Sequence, residues 1–311
     1  MSLKVLIPGA LTTVQDLGRM GYQQSGIPCG GVMDRDAYAA ANALAGNTAG
    51  EAVLEHTIYG GSYLFESDET AVLTGADMKP ALDGRPVPMY RPFSVKAGQV
   101  LSLGMAENGC RTCLALAGGI DVPVVLGSRS TSIKCSLGGL EGRALKAGDR
   151  IPVGASSVPE AELLNRSLPP AVYESQVTVR VIPGPQEEAF TEMGLETFYS
   201  SSYTITPDSD RMGYRMEGPE IESLRGTDII SDAIVFGSIQ VPSSGKPIIL
   251  LADRQTTGGY AKIATVFSLD LPGLVQCRPG DTVRFSRISV EEAQELSAQK
   301  GDIYEYIRHE A

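Results

Sequence analysis

Only two histidines, His56 and His309, occur in the 311 residues, and this scarcity excludes much nucleophilic and metal chemistry. The chain has no H-E-x-x-H run. A Ser-His-Asp or Cys-His arrangement would have to rest on His56, because His309 falls in the terminal tail. His56 follows Val53-Leu54-Glu55 and reads as a strand-end residue rather than a base. Any proton transfer therefore falls mostly to Asp, Glu, Lys or Tyr. A phosphate loop is missing as well. Gly245-Lys246 precedes Pro247 and lacks the upstream glycine of a G-x-x-x-x-G-K-[ST] run, so any ATP binding here would not be of P-loop type.

Cysteine is sparse and badly placed for cross-links. Cys29, Cys110, Cys113, Cys135 and Cys277 form an odd, scattered set that reads as reduced thiols. Cys110 and Cys113 have C-x-x-C spacing, but the run continues into Leu114-Ala115-Leu116-Ala117, and a strand there points the two sulfurs to opposite faces. With no second pair to complete a tetrahedral site, no metal is expected. No apolar run approaches the roughly 18 to 20 residues of a spanning helix. Met1-Ser2-Leu3-Lys4-Val5-Leu6-Ile7-Pro8 is broken too early for a signal peptide, so a cytoplasmic location is expected. Cations are the minority, 26 Lys and Arg against 37 Asp and Glu for a net charge of -11, which argues against nucleic acid and anionic membranes as partners.

What is present points to a mainly β protein. Short apolar runs are punctuated by 35 glycines and 19 prolines. Helices are few: Asp34 to Ala45, capped by Asp34 or a neighbour and stopped by Gly46-Asn47; one opened by Gly184-Pro185 with Glu187 and Glu188 in its first turn; and a terminal helix, Val290 to Lys300, with Ser289 and Glu292 at capping-box spacing. Lys96-Ala97-Gly98, Lys146-Ala147-Gly148 and Arg278-Pro279-Gly280 each lead into a strand-like run, which suggests repeated strand-turn-strand units in barrel-like sheets. The proline-bearing stretch 158–170 is the best candidate linker. It divides the chain into a β-rich lobe at 1–170, a β-barrel lobe at 171–288, and a helix with tail at 289–311.

Three runs carry candidate chemistry. Asp253-Arg254-Gln255-Thr256-Thr257-Gly258-Gly259-Tyr260 follows the apolar stretch Pro247 to Ala252 and gathers an acid, a guanidinium, an amide and hydroxyls at a strand end. It reads either as a lip that binds a carboxylate or phosphate, or as a hairpin turn with a surface ion pair. Ser209-Asp210-Arg211-Met212-Gly213-Tyr214-Arg215 and Gln15-Asp16-Leu17-Gly18-Arg19 repeat the Asp, Arg and Gly grouping. Three such runs favour a site built from several of them.

The same residues carry a resemblance. Gly9 to Arg19, Gly26-Ile27-Pro28 with Met33-Asp34, Thr74-Gly75-Ala76-Asp77-Met78, Pro183-Gly184-Pro185, Ser209 to Gly213, Gly237 to Pro242 and Leu251 to Tyr260 are similar to the allophanate hydrolase subunit 2 or KipA family, over nearly the whole chain. The resemblance implies a carboxyltransferase-type fold of cyclophilin-like β-barrels. For a free-standing bacterial chain it implies the C subunit of 5-oxoprolinase, which opens 5-oxoproline to L-glutamate at the expense of ATP with a KipI-like B subunit and an A subunit. ATP is then a cofactor of the complex. On that substrate class, Arg254, Arg211 or Arg19 would hold the carboxylate, alongside Gln255, Thr256 and Tyr260. The N–H groups of Thr257, Gly258 and Gly259 would stabilise an oxyanion, and Asp253 or Asp210 would orient or deprotonate a nucleophile. The family also implies two alternatives: a carboxyltransferase component of a urea carboxylase system, and a non-catalytic antagonist of a kinase inhibitor. Ala76-Asp77-Met78-Lys79 faintly resembles a biotin attachment run, but Pro80 follows and Lys79 reads as a turn residue, so biotin would be carried by a partner.

Overall fold

The computed structural model describes residues 1–310, and the side chain of His309 lies outside the described set. The chain forms two compact units. The first comprises Met1–Met20, Gly30–Tyr173 and the stretch from Gly301; the second comprises Gly21–Cys29 and Glu174–Lys300.

In the first unit, β1 (Ser2–Ile7), β2 (Leu11–Gln15), α1 (Arg35–Leu44), β3 (Val53–Thr57), β4 (Ser62–Phe65) and β5 (Glu69–Gly75) are followed by the short strands β6 (Ala81–Leu82), β7 (Arg85–Pro86), β8 (Phe93–Val95) and β9 (Val100–Ser102). Then come β10 (Arg111–Leu116), β11 (Arg150–Pro152) and the short helix α2 (Glu160–Leu163). The strands make a six-stranded sheet in the order β11-β1-β4-β9-β6-β7 and a five-stranded sheet in the order β2-β3-β10-β5-β8.

Period-two alternation sorts the side chains of the central strands. Leu54, Leu73, Leu114 and Leu116 face Leu3, Val5, Tyr63, Phe65 and Leu101 of the other sheet in one apolar cluster. Their neighbours Val53, Val72, Cys113 and Ala115 face the opposite way, onto the alanine-rich side of α1. Both faces of β5 and β10 are therefore covered, and every residue of these two strands is buried. Gly75 ends β5 at φ +87, and a Cβ there would lie 2.3 Å from the Arg111 carbonyl oxygen, so only glycine fits this turn.

The second unit holds β12 (Gln176–Pro183), α3 (Glu192–Ser200), β13 (Ser202–Ile205), β14 (Gly213–Glu217), β15 (Asp228–Ala233), β16 (Ser238–Gln240) and β17 (Ile248–Leu250). It continues with β18 (Thr257–Tyr260), β19 (Lys262–Val266), α4 (Leu271–Leu274), β20 (Thr282–Arg287) and α5 (Val290–Ala298), and α6 (Ile303–Glu310) of the first unit closes the chain. Seven strands form a closed barrel in the order β12-β19-β16-β17-β14-β13-β20, sealed by the parallel pair β12 and β20. Strands β15 and β18 pair separately as a two-stranded ribbon. The mainly β fold with few helices is the class the sequence predicts; of the two barrel lobes expected, the second unit closes into a barrel, whereas the strands of the first are divided between two sheets.

Three local readings differ from the structure. Gly184-Pro185 does not open a helix: the Gly184 N–H donates to the Ile263 carbonyl, which holds this segment against β19. Only one 3₁₀ turn, Glu187–Ala189, follows, and the helix starts after Thr191, whose hydroxyl caps the Gly194 N–H. The Ser289 capping box is present as read, but α5 ends at Ala298 and is not terminal, since α6 follows. The stretch 158–170 is a packed element rather than a bare linker. It contains α2, buries Leu163 fully, and ties Arg166 to the Ala43 carbonyl.

Candidate functional site

The three arginines nominated by sequence are all buried and already engaged. Arg211 grips Asp253 through two bonds, Nε to Oδ2 at 2.9 Å and Nη2 to Oδ1 at 3.1 Å. The two segments are also joined along the backbone, where the Asp253 N–H donates to the Arg211 carbonyl. Arg254 donates Nε to the Ile234 carbonyl and Nη1 to the Leu251 carbonyl, each at 3.2 Å, and lies over the Phe236 ring. Arg19, in the other unit, is fully buried and donates to the carbonyls of Val125 and Ser130. Burial pulls its proton affinity down against the opposing influence of Asp16. A guanidinium spent on buried carbonyls or a carboxylate gives up those bonds before it can take a ligand.

The carboxylates divide similarly. Both oxygens of Asp253 accept from Arg211, which makes it half of an ion pair rather than a group turned toward a nucleophile. Asp210 closes a turn, its Oδ1 accepting from the Met212 and Gly213 N–H groups. Asp16 is a hub that accepts from the Gly18 and Arg129 N–H groups and from the hydroxyls of Ser128 and Ser130. Thr257, Gly258 and Gly259 belong to β18, where successive N–H groups point to alternate edges, so the three cannot converge on one oxyanion. Thr256 gives its carbonyl to the Ile234 N–H. Gly258 matters for close approach: a Cβ would lie 2.6 Å from Ile234 Cδ1 and 2.7 Å from Gln240 Nε2.

Three nominated residues, Asp210, Gln255 and Tyr260, do meet. They line a cavity of about 570 Å³ in the second unit together with Arg215, Glu217, Gln240, Lys246, Ile248 and Leu250. Its wall is the outer side of β14 and β17. Tyr214, Met216 and Ile249 are buried in the barrel, so their neighbours Arg215, Glu217, Ile248 and Leu250 face outward. Gln240 is held by a bond from Nε2 to the Tyr260 carbonyl at 3.1 Å. Lys246 donates to the Gly218 carbonyl and stands 3.9 Å from Glu217. Arg215 makes no side-chain hydrogen bond or ion pair among the described residues. Sequence reasoning missed it, although the alternation Tyr214-Arg215-Met216-Glu217 could have placed it opposite the core.

A second cavity, of about 660 Å³, lies in the first unit between Asp77, Lys79, Pro80, Met89, Tyr90, Asn108 and Tyr173. The Tyr90 hydroxyl accepts from the Gly75 N–H at 2.9 Å, and Tyr173 donates to Asp34 Oδ2 at 3.3 Å. Burial pushes both phenols up. Lys79 is a turn residue, as read, with φ +50 and ion pairs to Glu107 and Asp77. His56 is structural. Its Nδ1–H donates to the Thr112 carbonyl, which leaves Nε2 to accept from the Tyr63 hydroxyl at 2.6 Å, and burial lowers its pKa to about 4.

Two facing sheets in one unit, and in the other a closed seven-stranded barrel with a mixed-charge cavity on its outer side, make this a two-part β protein. The family described as carboxyltransferase domain, subdomain A and B, matches residues 25–287, and the chain belongs to that family. It is 40% identical over 291 residues to the C subunit of the 5-oxoprolinase of Escherichia coli (strain K12), covering 94% of this chain and 93% of that protein. It is 38% identical over 292 residues to the corresponding C subunit of Haemophilus influenzae, with coverage of 94% and 93%. The crystal structure of the K. lactis urea amidolyase matches with a TM-score of 0.87 at 31% identity over 96% of this chain, which spans 19% of that protein.

Proposed function

We propose that this chain is the C subunit of a 5-oxoprolinase. Acting with B and A subunits, it would take part in adding water across the lactam bond of 5-oxoproline to give L-glutamate, coupled to ATP hydrolysis. The observation that carries this reading is the end-to-end match, over 94% of this chain and 93% of the relative, to a protein named for that role. The cavity of the second unit agrees in chemistry. It offers cations, carboxylates and an amide within one small volume, which suits a compact amide acid. Asp208, Asp210 and Glu217 outnumber Arg215 and Lys246 there, an unfavourable balance for a triphosphate. We therefore assign ATP to a partner subunit and expect the isolated chain to be inactive.

The test is glutamate release from 5-oxoproline and ATP by the partner subunits, with and without this chain. Release that requires the chain supports the reading, whereas no release from partners that are active with another C subunit overturns it. The match to urea amidolyase favours one second reading, a carboxyltransferase component. A requirement for bicarbonate and a biotinylated carrier would distinguish it.

A further inference from the structure

We infer that Arg215 is the carboxylate anchor of the barrel cavity, and that this cavity takes a small monocarboxylate that also bears an amide N–H. The ligand class rests on the proposed 5-oxoprolinase reading, but the site itself is argued from geometry. Arg211, Arg254 and Arg19 are withdrawn into bonds with protein acceptors. The Arg215 guanidinium faces the cavity with no side-chain bond among the described residues, and its planar fork matches a carboxylate in bidentate fashion. The other cation, Lys246, is held by the Gly218 carbonyl and stands close to Glu217.

The acids explain why a simple anion is not the best occupant. Asp208, Asp210 and Glu217 surround the same space, so a ligand with only negative charge meets three carboxylates. A molecule that presents a carboxylate at one end and an N–H donor at the other satisfies both signs. Asp210 uses Oδ1 to close its own turn and keeps Oδ2 for such a donor. The Gln255 side chain, with no hydrogen bond among the described residues, can pair with the ligand carbonyl, and the half-exposed Tyr260 and the apolar Ile248 and Leu250 cover its ring.

The test measures binding of 5-oxoproline, 2-pyrrolidone and cyclopentanecarboxylate to the full chain by calorimetry, and the KM for 5-oxoproline in the reconstituted complex. We expect 5-oxoproline to bind best. Arg215→Gln should weaken it by about ten- to a hundredfold, Arg215→Lys by less, and neither should alter 2-pyrrolidone, which lacks the carboxylate. Arg215 is exposed and unpaired among the described residues, so the variants should melt with the wild type; Gln255→Ala, acting on the same ligand from another segment, is the second probe. No saturable binding by the wild type, or equal affinity and KM in Arg215→Gln, overturns the inference. Arg215-dependent binding without glutamate release would leave the anchor standing and remove the oxoprolinase reading. Release with an unchanged KM in Arg215→Gln would do the reverse.

Discussion

Among single residues, His56 shows how one buried base ties stability to acidity. Its folded pKa of about 4 lies below the ordinary 6.5, because burial disfavours the imidazolium. Below pH 6.5 the unfolded chain takes up a proton that the folded chain refuses, so stability falls as pH drops toward 4 and levels off beneath it. Above pH 6.5 the two states agree and the group contributes no pH dependence. The full effect is roughly 3 kcal/mol, since each tenfold difference in proton affinity is worth about 1.4 kcal/mol. In urea titrations, His56→Gln should be less stable than wild type at pH 7 through its lost bonds to Thr112 and Tyr63. That deficit should shrink by about 2 kcal/mol by pH 4.5. A deficit that stays constant between the two pH values would show that His56 is protonated, or reached by water, in the folded protein.

Helix α1 illustrates how an element's start is written locally. Asp34 Oδ1 accepts from the Asp36 and Ala37 N–H groups while Oδ2 takes the Tyr173 hydroxyl, so one carboxylate caps the helix and fixes a wall of the first unit's cavity. Asp34→Ala should cost about 1 to 2 kcal/mol, and Asp34→Ser should restore most of it by supplying a cap alone. Equal losses in both variants, measured by chemical denaturation, would mean that the Tyr173 bond matters more than the cap. Signals of this kind, at Asp34 and again at Ser289, are legible in sequence because donor and acceptor stand three residues apart. The segment at Gly184 misleads for the opposite reason: its N–H finds the Ile263 carbonyl, a partner from a distant part of the chain. The candidate site divides in the same way. Asp210, Gln255 and Tyr260 can be nominated from polar runs at strand ends, and they do line one cavity. That Arg211 would be used up by Asp253, and that Arg254 would turn to backbone carbonyls, depends on barrel pairings between remote strands. Residue type names candidates for a charge; burial decides which remain available.

At the scale of the whole chain, stability has two sources. The first unit is centred on apolar clusters around β3, β5 and β10, and the second on a barrel closed by the parallel pair β12 and β20. Each unit has its own core, so calorimetry should resolve two transitions, one for each cooperative block. The Arg211 and Asp253 pair assigns them. The Arg211 side chain is only 6% exposed, so Asp253→Ala would strip a buried cation of its bidentate carboxylate at a cost of about 3 kcal/mol. Only the barrel transition should move, by about 10 °C for a unit of this size. Replacing both members of the pair with apolar residues, Arg211→Met with Asp253→Leu, should recover much of that loss, because the cost lies in the uncompensated buried charge rather than in the missing attraction. If Asp253 serves catalysis instead, Asp253→Ala will abolish glutamate release by the complex while both transitions stay in place. A single transition that shifts as a whole would show that the chain unfolds as one block.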